Sequence, residues 1–346
     1  MPSSSLPLTG NLCHCNISRR ISGVLCTGYV PIPQGQPDPD LQTLTPYESS
    51  SILTRYFCST CGTHMYLQYA DDRHFEVAIG VIDKTDGVVE FRRHMWIGDT
   101  KDGGASDWIP NVGGKVMERW HEAPNVSARL DSGWTDKAVS DVSSDTDKLR
   151  AHCHCGGVEF YITRPNSDSL AAESPFADLL VPYHLGSSEN PDNEPWWLRG
   201  DKNKNDDKGY TRYLAGNCAC NSCRLSSGYE FVQWAFVPTA NIELNNGNDT
   251  SSIPFKREFG TLKAYQSKPG VTRRFCGRCG ATAFWDGDWR PTLIDVGVGL
   301  LDAPSGARAE EWLDWETSRV SFREFAHNHA LIDGLEDGIR AWGREA

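Results

Sequence analysis

The stretch CACNSCRLSSG, residues 218–228, has a counterpart in CHCNISRRISG, residues 13–23. They agree at the first two cysteines, the asparagine, the first arginine, the last serine and the glycine. Two more pairs follow in the same order. TRYFCSTCGT (54–63) matches TRRFCGRCGA (272–281), and VAIGVIDKTDG (77–87) matches VGVGLLDAPSG (296–306). Matched blocks in one order read as a duplicated domain, and the period is too long for a solenoid repeat. The expected organisation is a first domain over 1–134, a polar linker over 135–148 and a second domain over 149–346. Residues 184–209, dense in Asn, Asp, Lys, Gly and Pro, read as a long surface loop inserted in the second domain.

The alternating, β-branched and aromatic runs VEFYIT (from Val158), YEFVQWAFV (from Tyr229) and TLIDVGVGLL (from Thr292) predict a mainly β fold. Helical patterning is sparse, and Ser321–Trp342 is the best candidate.

Length and charge narrow the function classes. A chain of 346 residues has room for two domains. A formal net charge of −12 argues against gripping a nucleic-acid backbone, which needs a basic face. The N-terminus MPSSSLPLTGNLCHC has neither a basic n-region nor an apolar h-region, and no run of about 20 apolar residues appears. The expectation is a protein of the cytoplasm, or of the nucleus, with no membrane partner. Twelve cysteines in such a compartment stay mostly reduced, and reduced cysteines in clusters read as metal ligands.

All but Cys26 fall into groups: Cys13 with Cys15, Cys58 with Cys61, Cys153 with Cys155, Cys276 with Cys279, and the triplet Cys218, Cys220 and Cys223. C-x-x-C lets one tight turn present two sulfurs, and Gly62 and Gly280 permit the backbone such a turn needs. C-x-C places two sulfurs on one side of an extended segment. Cys153, Cys155, Cys276 and Cys279 therefore make a complete tetrahedral zinc set with a structural role. Two disulfides are the alternative, disfavoured in a reducing compartment.

The triplet is then left without a fourth cysteine. Three protein ligands and one exchangeable position are the pattern of a catalytic zinc, and a thiolate is a more natural guest than water. The alternative is a His or Asp from elsewhere that closes the site. Arg224 and the run Lys268, Arg273, Arg274 and Arg278 are placed to offset the thiolate charge. They either meet an anionic thiol or only balance the sulfurs. The tryptophans, including Trp196, Trp197, Trp312 and Trp315, read as core or loop anchors rather than a binding site. Cys26 reads as a buried small hydrophobe.

The order CHCGG (153), CACNSCRLSSG (218), RRFCGRCG (273) and GVGLLD (297) resembles the glutathione-dependent formaldehyde-activating enzyme family, which also includes centromere protein V. The resemblance spans most of 151–327 and, with gaps, 13–110. It implies two tandem domains of the β-tent type. It also implies a structural zinc at Cys153, Cys155, Cys276 and Cys279 and a catalytic zinc at Cys218, Cys220 and Cys223. The activity it implies is carbon–sulfur lyase chemistry on glutathione or a thiol adduct, of the S-hydroxymethylglutathione kind, with Arg224, Arg273 and Arg274 as candidate contacts for glutathione. The competing reading is a non-catalytic zinc scaffold that binds a protein partner.

The first domain departs from this pattern. Ser18 stands where Cys223 stands in the second, and the leading C-x-C is missing. A segment preceding Met1 is one account of that gap. Cys13, Cys15, Cys58 and Cys61 either gather into one zinc site, with His14 or His64 lending a nitrogen, or survive as relic pairs. The expectation is a first domain that is degenerate for catalysis and packs against the second.

Overall fold

A computed structural model describes residues 6–137, 147–177, 188–200, 209–244 and 253–345. The first half forms β1 (Leu8–Cys13), α1 (Asn16–Ser22), β2 (Thr27–Pro31), β3 (Leu44–Ser50), β4 (Leu53–Cys58), β5 (His64–Tyr69), β6 (Phe75–Ala78) and β7 (Val89–Met95). Three short strands follow: β8 (Asn111–Val112), β9 (Lys115–Val116) and β10 (Glu118–Arg119).

The second half opens with β11 (Lys148–His152), β12 (Glu159–Thr163), β13 (Leu198–Gly200), β14 (Tyr210–Cys218), α2 (Asn221–Ser227) and β15 (Val232–Pro238). It continues with β16 (Ile242–Leu244), β17 (Ile253–Pro254), β18 (Leu262–Lys268), β19 (Val271–Cys276), β20 (Thr282–Gly287), β21 (Leu293–Gly297), β22 (Leu313–Trp315) and α3 (His329–Glu345). The fold is mainly β with few helices, as the β-tent reading expects.

The two large sheets share one strand order. The first runs β10-β7-β1-β2-β6-β5-β4-β3, and the second runs β13-β14-β15-β21-β20-β19-β18, with β22 pairing β14. In both, the strand ending in the first cysteine pairs antiparallel with its successor and parallel with a late strand, β7 or β22. A separate small sheet, β11-β12-β16-β17, carries the leading C-x-C of the second half.

Sulfur starts both short helices. The Cys15 side chain accepts the Ser18 N–H, and the Cys220 side chain accepts the Cys223 N–H, each occupying a donor that a helix start leaves free. Gly23 and Gly228 end the helices in the left-handed region, at φ 79° and 88°. A second constraint holds these two glycines. A Cβ on Gly23 would lie 2.0 Å from the Thr282 carbonyl oxygen, and one on Gly228 would lie 2.2 Å from that of His64.

Those contacts belong to a pseudo-twofold interface. Gly80 N–H donates to Gly228 O and Gly299 N–H to Gly23 O, each at 2.9 Å. Arg224 donates to the Gly80 carbonyl and Arg20 to that of Leu300. The buried Tyr29 and Tyr229 hydroxyls meet at 2.6 Å. The buried apolar residues of both halves form one continuous core.

Two expectations change. The C-terminal helix begins at His329, where the Asn328 side chain accepts the Leu331 N–H, and not at Ser321. Residues 320–321 are held instead by Glu336 and by β14. Leu331, Ile332, Leu335 and Ile339 give α3 one apolar face, and it packs on the first half beside β8. The described part of the proposed inserted loop, 188–200, carries buried Trp196 and Trp197, and β13 pairs with β14. The rest of that stretch up to Lys208, and most of the 135–148 linker, lie outside the described residues. Trp312, Trp315 and Cys26 are buried as expected.

Candidate metal centres

Cys153 ends the β11 arm, and Cys276 ends β19. The C-x-x-C turn closes where Gly280, at φ 80°, donates its N–H to the Cys276 carbonyl. This brings four cysteines far apart in sequence together, with their sulfurs all within 4.8 Å of one another. The Cys153–Cys155 and Cys155–Cys276 sulfur separations are 3.5 and 3.4 Å. Tetrahedral zinc with Zn–S near 2.3 Å wants sulfurs roughly 3.8 Å apart, so these pairs would spread by only a few tenths of an ångström, and the set fits zinc. Backbone N–H groups of Gly157, Val158, Arg278 and Cys279 point at these sulfurs, a second layer that orients ligands. Hydrogen bonds among the sulfurs push Cys153 and Cys279 above the ordinary thiol range and pull Cys276 below it. All four sulfurs could ionise together only around a cation.

The second group is Cys218, Cys220 and Cys223. Cys218 ends β14, Cys220 caps α2, and Cys223 lies in its first turn. Among the described residues no His, Asp, Glu or further Cys joins this group. The group faces a cavity of about 320 Å³. Arg273 Nη2 lies 3.6 Å from Cys223 Sγ, and the Trp234 indole N–H donates to the same sulfur at 3.5 Å. Hydrogen bonds from Cys218 and Cys220, then the Arg273 charge and the Trp234 N–H, hold the Cys223 thiol well below its ordinary value. Burial pulls the Arg273 pKa down, but the charges of Cys223, Cys220 and Cys218 outweigh it and raise it.

The predicted basic residues separate. Arg273 reaches the sulfurs, steadied by Ser226 and Ser222 at 3.0 and 2.9 Å. Arg274, its neighbour on the strand, points to the other face and pairs with Asp286 at 2.7 Å, because strand side chains alternate. Arg224, one step along α2 from Cys223, points into the interface toward Gly80, Asn221 and His327. Neither Arg224 nor Arg274 is among the residues that line the cavity. Lys268 lines it, and Arg278 does not. Trp234, Ser222, Trp285, Trp289 and Phe322 were not singled out from the sequence, because they come from separate strands and loops. The one signal for Trp234 was its alignment with Tyr29.

In the first half Cys13, Cys15, Cys58 and Cys61 do not gather into one group of ligands. Cys13 and Cys15 meet Ser18, whose Oγ lies 3.5 Å from Cys13 Sγ and 3.2 Å from Cys15 Sγ. Arg55, the counterpart of Arg273, donates to Ser18 Oγ at 3.2 Å and to the Tyr29 hydroxyl. Cys61 meets Thr63 at 2.9 Å instead. His14 bonds His94, and His64 bonds the Ile21 carbonyl, so neither is turned to the cysteines. Asp71, Asp72 and His74 form a third, exposed group of the kind common without a metal.

The protein is mainly β and carries one four-sulfur set and one three-sulfur set beside a cavity, each of which could hold a metal ion. The chain belongs to the glutathione-dependent formaldehyde-activating enzyme family, whose model matches residues 2–99 and 208–316, more than half its length. No curated protein and no solved structure matches it. No helix among the described residues is long and apolar enough to cross a membrane.

Proposed function

We propose that the chain is a zinc-dependent carbon–sulfur lyase-type enzyme acting on glutathione or a thiol adduct, with two zinc ions in its second half. The observation that carries this reading is the contrast between the two sulfur sets. One is closed and buried in a frame of backbone N–H groups, and the other opens onto a cavity. Zinc bound at Cys218, Cys220 and Cys223 would hold a guest sulfur as thiolate. Arg273 supplies positive charge beside the sulfurs, and Ser222 and Ser226 fix its guanidinium plane. The Trp234 N–H donates to Cys223 and keeps that sulfur oriented.

The reaction class adds a thiol across an aldehyde carbonyl. A sulfur–carbon bond forms, the carbonyl π pair moves to oxygen, and oxygen takes the thiol's proton. The reverse is the lyase direction. The first half, which we read as a duplicate of the second, lacks the third thiolate and serves as a packing partner. A cytoplasmic setting suits reduced cysteines, and the net charge of −12 speaks against a nucleic-acid partner.

The test is calorimetry of the zinc-loaded protein with glutathione, in two buffers of different ionisation enthalpy. Thiolate binding is expected to release about one proton per site, since a free cysteine thiol has a pKa near 8.5. Cys223→Ser is the control. If the wild type, with two zinc ions verified by metal analysis, binds no thiol, the enzyme reading fails and the scaffold reading takes its place.

A further inference from the structure

The walls of the cavity beside Cys218, Cys220 and Cys223 carry information about the guest. Trp234, Phe236, Trp285, Trp289 and Phe322 line it, with Val271 between them. These rings come from β15, from β20, from the turn after β20 and from the segment after β22. The Trp285 and Trp289 indoles meet edge to face at 5.6 Å. They fold over Gly287, where an added Cβ would lie 2.9 Å from Trp289 and 3.0 Å from Trp285. The Arg290 guanidinium stacks over Trp285 at 4.5 Å and pairs with Asp295 at 2.8 Å, so its charge is engaged in the wall itself. Trp289 remains 37% exposed at the mouth.

Phe322 adds a feature that bulky residues rarely show. Its φ is 57°, in the left-handed region, which costs free energy and persists where the surroundings impose it. The first half repeats the device. Trp96 follows Met95, which pairs with Cys13, and has φ 60°. Phe322 likewise follows Ser321, which bridges to Cys218. In both halves a ring is held in a strained backbone next to the first cysteine of the set.

We propose that the second-half cavity is an aromatic clamp, and that the guest carries an aromatic group close to its sulfur. This deepens the thiol reading above and names the class: arylmethyl thiols, or thiol adducts of aromatic aldehydes. Ser222, Lys268, Asp295 and Ser321 also line the cavity and would meet the polar part of a guest, while the rings make up its apolar wall. Arg273, in contact with Cys223 Sγ, is also held by Ser226 and Ser222. An aromatic group gains edge-to-face contacts with the indoles and buries apolar area.

The experiment compares benzyl mercaptan, mercaptoethanol and benzyl alcohol on the zinc-loaded full chain, by calorimetry and by quenching of tryptophan fluorescence. Benzyl mercaptan is expected to bind at least tenfold more tightly than mercaptoethanol, with a preference that falls below threefold in Trp289→Ala. Equal affinities for the two thiols in the wild type would overturn the clamp while leaving the thiol reading intact. So would a preference unchanged in a folded Trp289→Ala. If neither thiol binds but benzyl alcohol does, in a Trp289-dependent way, the clamp stands and the thiol reading falls. Binding of none of the three overturns both.

Discussion

The two halves place the same backbone around different chemistry. β1, α1 and β2 repeat β14, α2 and β15, down to a cysteine that caps the helix and a glycine that ends it. Arg55 and Arg273 occupy equivalent strand positions and reach the same spot on the helix. At that spot Arg55 meets a serine hydroxyl, and Arg273 meets a thiolate-prone sulfur. One atom, oxygen for sulfur at Ser18, separates a set of two thiols from a set of three. The lesson concerns scaffold and site: helix capping and the pseudo-twofold interface survive the loss of a ligand, because neither depends on metal.

The comparison breaks most violently at the closed centre. Cys276→Ser should destabilise the protein on the order of 5 kcal/mol, since zinc-binding free energy at such a site is also folding free energy. Its first-half equivalent, Cys58→Ser, should cost under about 1 kcal/mol, because no four-sulfur set gathers there. Thermal melts with zinc analysis separate the two, and equal losses would contradict the assignment of one closed centre.

Next come the open sets. Cys223→Ser copies the first half and should lower thiol-adduct turnover by roughly 100-fold or more, with little change in melting temperature. The converse, Ser18→Cys, rebuilds a three-thiol set beside Arg55 and should raise the zinc content from two to three per chain. Metal stoichiometry is the readout, and a count that stays at two would mean the first half has lost more than a ligand.

The interface glycines give a smaller, paired effect. Gly23→Ala and Gly228→Ala should each cost about 2–3 kcal/mol, from positive φ and from the clash with the opposite half's carbonyl. Chemical denaturation measures both. A large loss at one and none at the other would break the pseudo-symmetry.

A further contrast is the acid sensitivity that buried histidines give the first half. Burial holds His64 and His94 down at about 3. Unfolded histidine titrates near 6.5, so below that pH the unfolded chain binds more protons than the folded one. Stability is therefore complete above about 6.5 and is lost as pH falls toward 3, by at most about 1.4 kcal/mol per pH unit per histidine. His64→Gln should flatten this slope by one proton. Thr282 stands at the equivalent place in the second half, so no mirror effect is expected there.

Much of this architecture was legible in the chain. The matched blocks around Cys13 and Cys218 read as a duplicated domain, and the structure gives the two halves sheets of matching strand order. Cysteine spacing foretold which four and which three sulfurs of the second half would gather, because few geometries bring sulfurs within a metal's reach. The fate of the basic residues was not legible. Arg273 and Arg274 are adjacent in sequence and face opposite sides of β19, and Arg224 turns toward the other half of the molecule. The start of α3 was misplaced because 320–321 are claimed by Glu336 and β14, contacts that no local pattern announces.

By itself the sequence determined the mainly β fold, the matched blocks and the cysteines that gather in the second half, since each rests on short-range spacing and residue chemistry. Only the tertiary structure decided that Cys13, Cys15, Cys58 and Cys61 stay apart, that the halves share one core, and that five rings from distant segments wall the open centre. Those outcomes depend on which surfaces meet across the pseudo-twofold interface and between sheets. Packing over long sequence separations sets them, and no periodicity in the chain encodes it one residue at a time.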